Sequence, residues 1–499
     1  MRSKMGIRAV VAIAVAGIMI AMSACTLLIN HDRQCARDTD CAHFGSHLVC
    51  EQGICVRGSL PPGCVGGTPS QLPDFLNHCT KSEYDDTFDN CARLSLCGDV
   101  APPPLVTPPV PPSGTPTSPG PTPLELCADP QKRPQVVFMN GSSNFIPLLQ
   151  KVAPFMLLSG VTPVFQQTNS CAGVRSVYGP LASQHVMKDP PSTGPGFYAS
   201  YYPIDGSPPK PCSLGTGVMT DIGESEIFAS TCNIDKPAGD SVAEYFGPMA
   251  TIVFAVNVAS TDTAITAEAA RQVFGIGDDP SNKATPWTNS RFFYIRNLNT
   301  ATQQMIAHAI GVPADKFWGT DQGSASNVGG QLIIPPEPTK AIGIIGTDFY
   351  EKDPSKNLKA LAFRAQGQSV AYWPDSSVKS RDKRNVRDGH YPIWGPLHFF
   401  AKIPLTPNVM AFLQLVAPAS LERDVLRNYI SSSLVPDCAM MVHRDSELEE
   451  LTPYKPPLPC NCFFEANVPG GAAPPGCTTC SGDDNECPDA KKCIVGFCE

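Results

Sequence analysis

The cysteines partition this chain before any secondary structure is considered. There are 21. One cluster runs through Cys35, Cys41, Cys50, Cys55, Cys64, Cys79, Cys91 and Cys97, and another through Cys460, Cys462, Cys477, Cys480, Cys487, Cys493 and Cys498. Between them, after Cys127, only Cys171, Cys212, Cys232 and Cys438 occur. Segments so rich in cysteine and poor in large aliphatic residues cannot bury much core and depend on disulfides. The distribution places the chain in an oxidising compartment. Zinc is the rival for the first cluster, but Cys-x-x-Cys pairs are absent there. Cys477-Thr-Thr-Cys480 has no redox fold around it and reads as structural. The two ends share a motif: Cys35 to Cys41 and Cys50 to Cys55 match Cys480 to Cys487 and Cys493 to Cys498, with a glycine in the same place. Its acidic loops read as solvated turns between disulfides rather than Ca²⁺ sites.

The odd cysteine is explained at the N-terminus. Arg2, Lys4 and Arg8 precede an apolar run, Ala9 to Met22, that ends Ser23-Ala24-Cys25. This is the layout of a secretory signal, and the run is short for a membrane span. Residues 1–24 are therefore expected to be a lipoprotein signal peptide. The Met-Ser-Ala-Cys end resembles the bacterial lipobox, which implies that Cys25 is the lipidated first residue and anchors the protein to a membrane. Thr26 in place of aspartate points to the outer membrane of a Gram-negative-type envelope, with the protein facing the periplasm or the surface. Net charge is −9, so nucleic acid is not expected as a partner.

Residues 25–100 read as a cysteine-rich disulfide module, 101–126 as a linker, 127–456 as the globular domain and 457–499 as a second cysteine-rich module. The chain has 52 prolines, about twice average usage. The linker carries 11 of them in residues 101–123 and is expected to stay near polyproline II at about 3.1 Å per residue. In the globular segment short apolar runs (Val136–Phe138, Thr251–Val258, Phe292–Ile295, Ala341–Ile345) alternate with amphipathic stretches (Ile146–Leu158, Ala267–Phe274, Thr302–Ile310, Val409–Ala417, Leu421–Leu434). Alternation of this kind predicts an α/β fold with mostly parallel sheet, and its length predicts two lobes.

Four loops carry the chemistry. Val136-Val-Phe-Met-Asn140-Gly141-Ser142-Ser143-Asn144 is a strand, a tight turn and a hydroxyl-rich helix start, where N–H groups and a helix dipole converge on an anion. Phe165 to Gly173 repeats the layout and contributes Ser170. Asp221-Ile-Gly-Glu-Ser225-Glu226 sets a hydroxyl beside a carboxylate where a strand would end. Tyr294-Ile-Arg296-Asn-Leu-Asn299-Thr300-Ala301-Thr302 delivers an arginine and then another hydroxyl-rich helix start. Any one of them is a common loop; the four in this order are not. The basic run Lys379 to Arg387 reads as a solvated loop, and the histidines show no metal-ligand spacing. No motif of a hydrolase, metalloprotease or nucleotide-binding loop occurs, so neither catalytic residues nor a cofactor is expected.

With these loops in view, residues 130–420 resemble the periplasmic phosphate-binding proteins of bacterial phosphate ABC importers. The resemblance rests on Gly141 to Asn144, Phe165 to Gly173, the Gly-x-Ser-Asp-like Gly223 to Glu226, and Arg296 to Thr302. It implies a two-lobed type II periplasmic-binding-protein fold, flanked here by small disulfide-rich modules, with a first hinge crossing near Val256–Val258. It implies that Ser143, Asn144, Ser170, Ser225, Glu226, Arg296, Thr300, Ala301 and Thr302 hold phosphate or a related oxyanion, and that the protein serves an ABC importer or another cell-envelope partner. Glu226 stands where the family has aspartate, and Asn299 and Ala301 replace glycines. The stretch Asp189 to Pro211 is an insert, expected to be closed by disulfides of Cys171, Cys212 and Cys232. The competing expectation is a surface interaction or structural protein that kept the fold and lost or altered the ligand site.

Overall fold

The computed structural model describes residues 60–86, 90–97, 100–108, 124–191, 196–237, 239, 241–353, 355–418, 421–447 and 449–499, with the backbone of an antiparallel hairpin, Leu48–Glu51 and Ile54–Arg57. The signal segment, Cys25, Cys35 and Cys41 lie outside these residues, and of Cys50 and Cys55 only the backbone is described.

Two lobes share one strand order. In the first, β1 (Val136–Gly141) is parallel to β2 (Thr162–Gln167) on one side and to β3 (Ile222–Ser225) on the other. In the second, Phe293–Ile295 is parallel to Thr320–Asp321 and to Ile342–Gly346. Each trio is then completed by an antiparallel strand, one of which runs through both lobes. β4 (Val242–Asn257) pairs with Ile342–Gly346 through its last residues, and β5 (Trp394–Lys402) pairs with β3. The sheet is therefore mixed rather than mostly parallel, in the two-lobed α/β arrangement that the resemblance implies.

β4 and β5 also pair with each other, from Val242 opposite Lys402 to Thr251 opposite Trp394, with one irregularity between Phe246 and Met249. β4 takes its second-lobe partner from Ile252 onward. The crossing thus falls between Phe246 and Ile252, earlier than the Val256–Val258 expected. The sequence hides it because β4 is buried on both faces through the crossing, so its apolar run does not change character where the lobe changes.

Each lobe has an aromatic centre. In the first, the Phe145 ring meets Phe165, Phe399 and Phe412 edge-on, with centroids 5.7, 5.3 and 6.4 Å away. In the second, Phe274 packs on Phe254, Phe293 and Phe317 at 5.9, 5.9 and 5.4 Å. Burying one such ring is worth about 1.5–3 kcal/mol. The predicted helix over Ile146–Leu158 keeps α geometry only to Val152 and continues as a 3₁₀ turn, Ala153–Leu158. Pro154 has no N–H to give to the turn before it, which ends the α ladder.

Three features follow from packing rather than pattern. Residues Gly63–His78 and the chain from Ser82 belong with the lobes. Tyr84–Asp85 forms a strand beside Ala371–Tyr372, and Val106 donates its N–H to the Gly275 carbonyl while accepting from the Trp318 indole. The packing boundary therefore lies ahead of the compositional one near residue 100. The basic run is not a solvated loop: Lys383 is buried between Asp375, at 3.0 Å, and Glu351. Arg387, buried, donates to the Ala439 carbonyl, to Glu465 and to Asn461. It thereby ties the helix Asn461–Asn467 of the C-terminal module to the lobes. Disulfides Cys127–Cys212 and Cys171–Cys232 close the insert region, and Cys438–Cys460, Cys462–Cys477, Cys480–Cys493 and Cys487–Cys498 staple the C-terminal end.

Candidate functional site

The four loops meet between the lobes. From the first lobe, β1 ends at Gly141. Ser142 then caps a short turn by accepting the Asn144 N–H, and Ser143 and Asn144 follow. β2 leads to Asn169, whose side chain accepts the Ala172 N–H and so starts the helix Ser170–Tyr178, here α1, with Ser170 at its first position. The disulfide from Cys171 to Cys232 pins that helix start. β3 places Glu224 and then Glu226, two apart and so on one side of the strand. From the second lobe, Arg296 follows Phe293–Ile295. Thr300 caps the helix Ala301–Ile310, here α2, by accepting the Gln303 N–H.

The lobes touch directly here. The Ala301 N–H donates to Ser170 Oγ at 2.9 Å, and Ser170 Oγ donates to Glu226 Oε2 at 2.9 Å. Asn144 Nδ2 donates to Thr302 Oγ1 at 3.4 Å, and the Cys171 N–H donates to the Asn299 carbonyl at 3.1 Å. Arg296 faces Glu226 and Asp321 electrostatically and donates to the Gly323 carbonyl at 3.4 Å. Ser170, Glu224, Glu226 and Arg296 are all buried, at 0, 0, 0 and 2% exposed. Five polar atoms of the cluster have no hydrogen-bond partner among the described residues: Ser143 Oγ, Asn144 Oδ1, Glu224 Oε1, Glu226 Oε1 and Arg296 Nε. These atoms leave both donors and acceptors available where the loops meet.

The electrostatics are those of a crowded acidic site with one cation. Burial raises the Glu226 carboxyl above its ordinary range, against hydrogen bonds from Ser142 and Ser170 and the charge of Arg296. Burial raises Glu224 further, with repulsion from Glu226 added and only the Ser142 N–H opposing it. Asp348, just beyond Ile342–Gly346, is half-buried and pushed up to about 6, mainly by desolvation and against the charge of Lys352. Burial lowers Arg296, while Asp321 and Glu226 hold its charge in place.

Of the expected ligand residues, Asn144, Ser170, Glu226, Arg296, Ala301 and Thr302 are brought together, and Ser143 lies next to Asn144 in its loop with its hydroxyl unpartnered among the described residues. Thr300 serves as the helix cap. Ser225 is not brought in: its Oγ donates to the Ile227 carbonyl and accepts the Ile227 N–H, on the opposite side of the strand from the two glutamates. Sequence reading missed Glu224 and Asp348. Glu224 was legible, because Glu-Ser-Glu on a strand aims both carboxylates one way. Asp348 had no local signal. Among the described residues, the group of metal-ligating side chains close enough to hold an ion is Cys480, Cys487 and Cys498, whose sulfurs are already in disulfides.

No protein-family model matches the sequence, and no curated protein matches it significantly. Solved structures do resemble it. One, assigned as a phosphate ABC transporter substrate-binding protein with bound phosphate from Clostridium perfringens, is 14% identical, with 60% of this chain and 99% of that one covered at a TM-score of 0.40. An ABC-type phosphate transport receptor from Vibrio cholerae is 13% identical over 60% and 100% of the two chains, TM-score 0.37. The regulatory domain of Synechocystis CcmR in complex with 2-PG is 9% identical over 56% and 94%, TM-score 0.31. Likenesses this distant do not fix a ligand; the class, a two-lobed α/β protein with its polar cluster between the lobes, stands on the strand order and side chains above.

Proposed function

We propose that this is a solute-binding lipoprotein that captures a small oxyanion carrying at least one proton, hydrogen phosphate being the simplest. The observation that carries the reading is the set of five buried, unpartnered atoms from both lobes. Arg296 Nε and the Ser143 hydroxyl are donors, and Glu226 Oε1 is an acceptor. A hydrogen phosphate satisfies all three, whereas sulfate leaves the Glu226 oxygen without a proton to accept. Thr302 and the start of α2 supply the positive end of a helix dipole. The activity is binding, without a catalytic residue. The protein is tethered through lipid on Cys25 at the outer membrane and passes its ligand to an importer or another envelope partner.

A second reading has its own support. The direct interlobe bonds Ala301–Ser170 and Asn144–Thr302 let the lobes close on each other with no ligand between them. A surface interaction protein with a locked fold would be built so. Isothermal titration of the mature chain with phosphate and with sulfate, beside Arg296→Ala, separates the two. Phosphate heat that sulfate and the variant lack supports the solute binder. Absence of heat from folded protein with either anion favours the locked fold.

A further inference from the structure

Glu224 is the charged residue that the resemblance does not account for, and it occupies the first anion cradle. Its Oε2 accepts the Ser142 N–H at 2.7 Å. That N–H leads into the helix start where an oxyanion would otherwise be received. The fit is close on every side. A Cβ at Gly141 would lie 2.3 Å from Glu224 Oε2, and one at Gly173 would lie 1.8 Å from the Glu224 carbonyl oxygen. Two glycines of the site loops are thus required by this glutamate and its backbone, not by the ligand.

We propose that Glu224 makes oxyanion capture depend on a proton, the ligand entering only when the Glu224 carboxyl is in its acid form. The inference rests on the solute-binding reading. Oε2 already accepts the Ser142 N–H, so the proton belongs on Oε1, the buried oxygen without a partner. There it becomes a donor to the oxyanion, while Glu226 Oε1 accepts the ligand's own proton. The pair then acts as one donor and one acceptor. With both carboxyls ionised, an entering anion would meet two neighbouring carboxylates, while the Arg296 charge is already shared between Asp321 and Glu226.

The neighbours on Glu224's own sheet and helix do not relieve it. β1 presents Asn140 and Gly141, α1 presents Gly173, and β5 presents Phe399 opposite Glu224. The charged group that acts on Glu224 is Glu226; in the second lobe Arg296 faces Glu226 and Asp321, and Asp348 is accompanied by Lys352. Burial and Glu226 both push the Glu224 carboxyl well up, which keeps the acid form available toward neutral pH.

The test is phosphate affinity of the mature chain from about pH 5.5 to about pH 8.5, wild type against Glu224→Gln and Glu224→Ala. The ratio of wild-type to variant Kd cancels the ionisation of phosphate itself. We expect Glu224→Gln to bind within about threefold of wild type at the acid end. Once Glu224 ionises, the wild type should weaken relative to the variant by up to about tenfold per pH unit. Glu224→Ala should remove the same slope, and it reports if the glutamine variant does not fold. A Kd ratio that stays constant across the range, with phosphate bound by both proteins, overturns the role of Glu224 and leaves the solute-binding reading standing. Absence of phosphate binding by wild type and variants at every pH overturns both.

Discussion

Arg296→Met is the most exposing perturbation of the interlobe cluster. Methionine keeps most of the volume and removes the charge. Glu226, fully buried, would then have Glu224 on one side and Asp348 among its neighbours, with no cation facing it. Arg296 acts on Glu226 through its charge at a distance rather than through a direct ion pair, so the cost lies below the about 3–5 kcal/mol of a broken buried pair. The cost must depend on pH, and its sign is fixed. Glu226 has an ordinary value of 4.5 and a raised one in the folded protein. Between the two the folded state holds a proton that the unfolded chain has released, so stability falls as pH rises through that window. Without Arg296 the folded value rises and the window widens upward. Each pH unit of widening removes about 1.4 kcal/mol. Urea unfolding of the mature chain, followed by tryptophan fluorescence at about pH 5 and about pH 8, measures it. Arg296→Met should cost more at the higher pH by at least one such increment, and adding Glu226→Gln should recover most of the loss. A cost below about 1 kcal/mol at the higher pH, or equal costs at both, would refute the argument.

Other outcomes follow from single contacts. Ser170→Ala strips the Ala301 N–H of its acceptor and Glu226 of a donor, and should cost about 1–3 kcal/mol by the same denaturation assay. Gly173→Ala drives a methyl into the Glu224 carbonyl and should prevent folding as judged by near-ultraviolet dichroism. Gly330→Ala, within the helix Ala325–Ile333 and with open space around it, should stabilise by about 0.5–1 kcal/mol. Replacing Cys171 and Cys232 with alanine frees a span of 61 residues and should cost about 4 kcal/mol on the loop-entropy estimate, read as a shift in the urea midpoint.

Much of the fold was legible because its signals are local. The runs at Val136 and Phe292 start the first strand of each lobe. The hydroxyl caps at Thr266, Thr300 and Thr406 start helices where the periodicity places them. The site loops were legible for the same reason, each being a strand end followed by a cap. What stayed hidden depends on distant partners. Lys383 and Arg387 read as solvent-facing because nothing near them in sequence announces Asp375, Glu351 and Glu465. β5 carries Gly395, Pro396 and His398 and is buried along nearly its whole length, so it shows neither alternation nor a strand-like composition. Ser225 was misplaced by one position of a strand: the pleat sends it one way and its two glutamate neighbours the other.

The paired strands β4 and β5 have a mechanical consequence. Lobes joined by loose single strands can swing widely at almost no elastic cost. Here β4 and β5 are paired with each other on both sides of the irregularity at Phe246 to Met249, as far as Thr251 opposite Trp394, so the strands leading to the crossing bend together as one strip. The strip is weakest between Phe246 and Met249, where the ladder is interrupted. Motion of one lobe against the other would then flex this paired strip and store energy as it proceeds, in the manner of a leaf spring. Substitutions near Gly247 and Pro248 would then alter how fast the lobes part and rejoin, without touching a single residue of the polar cluster.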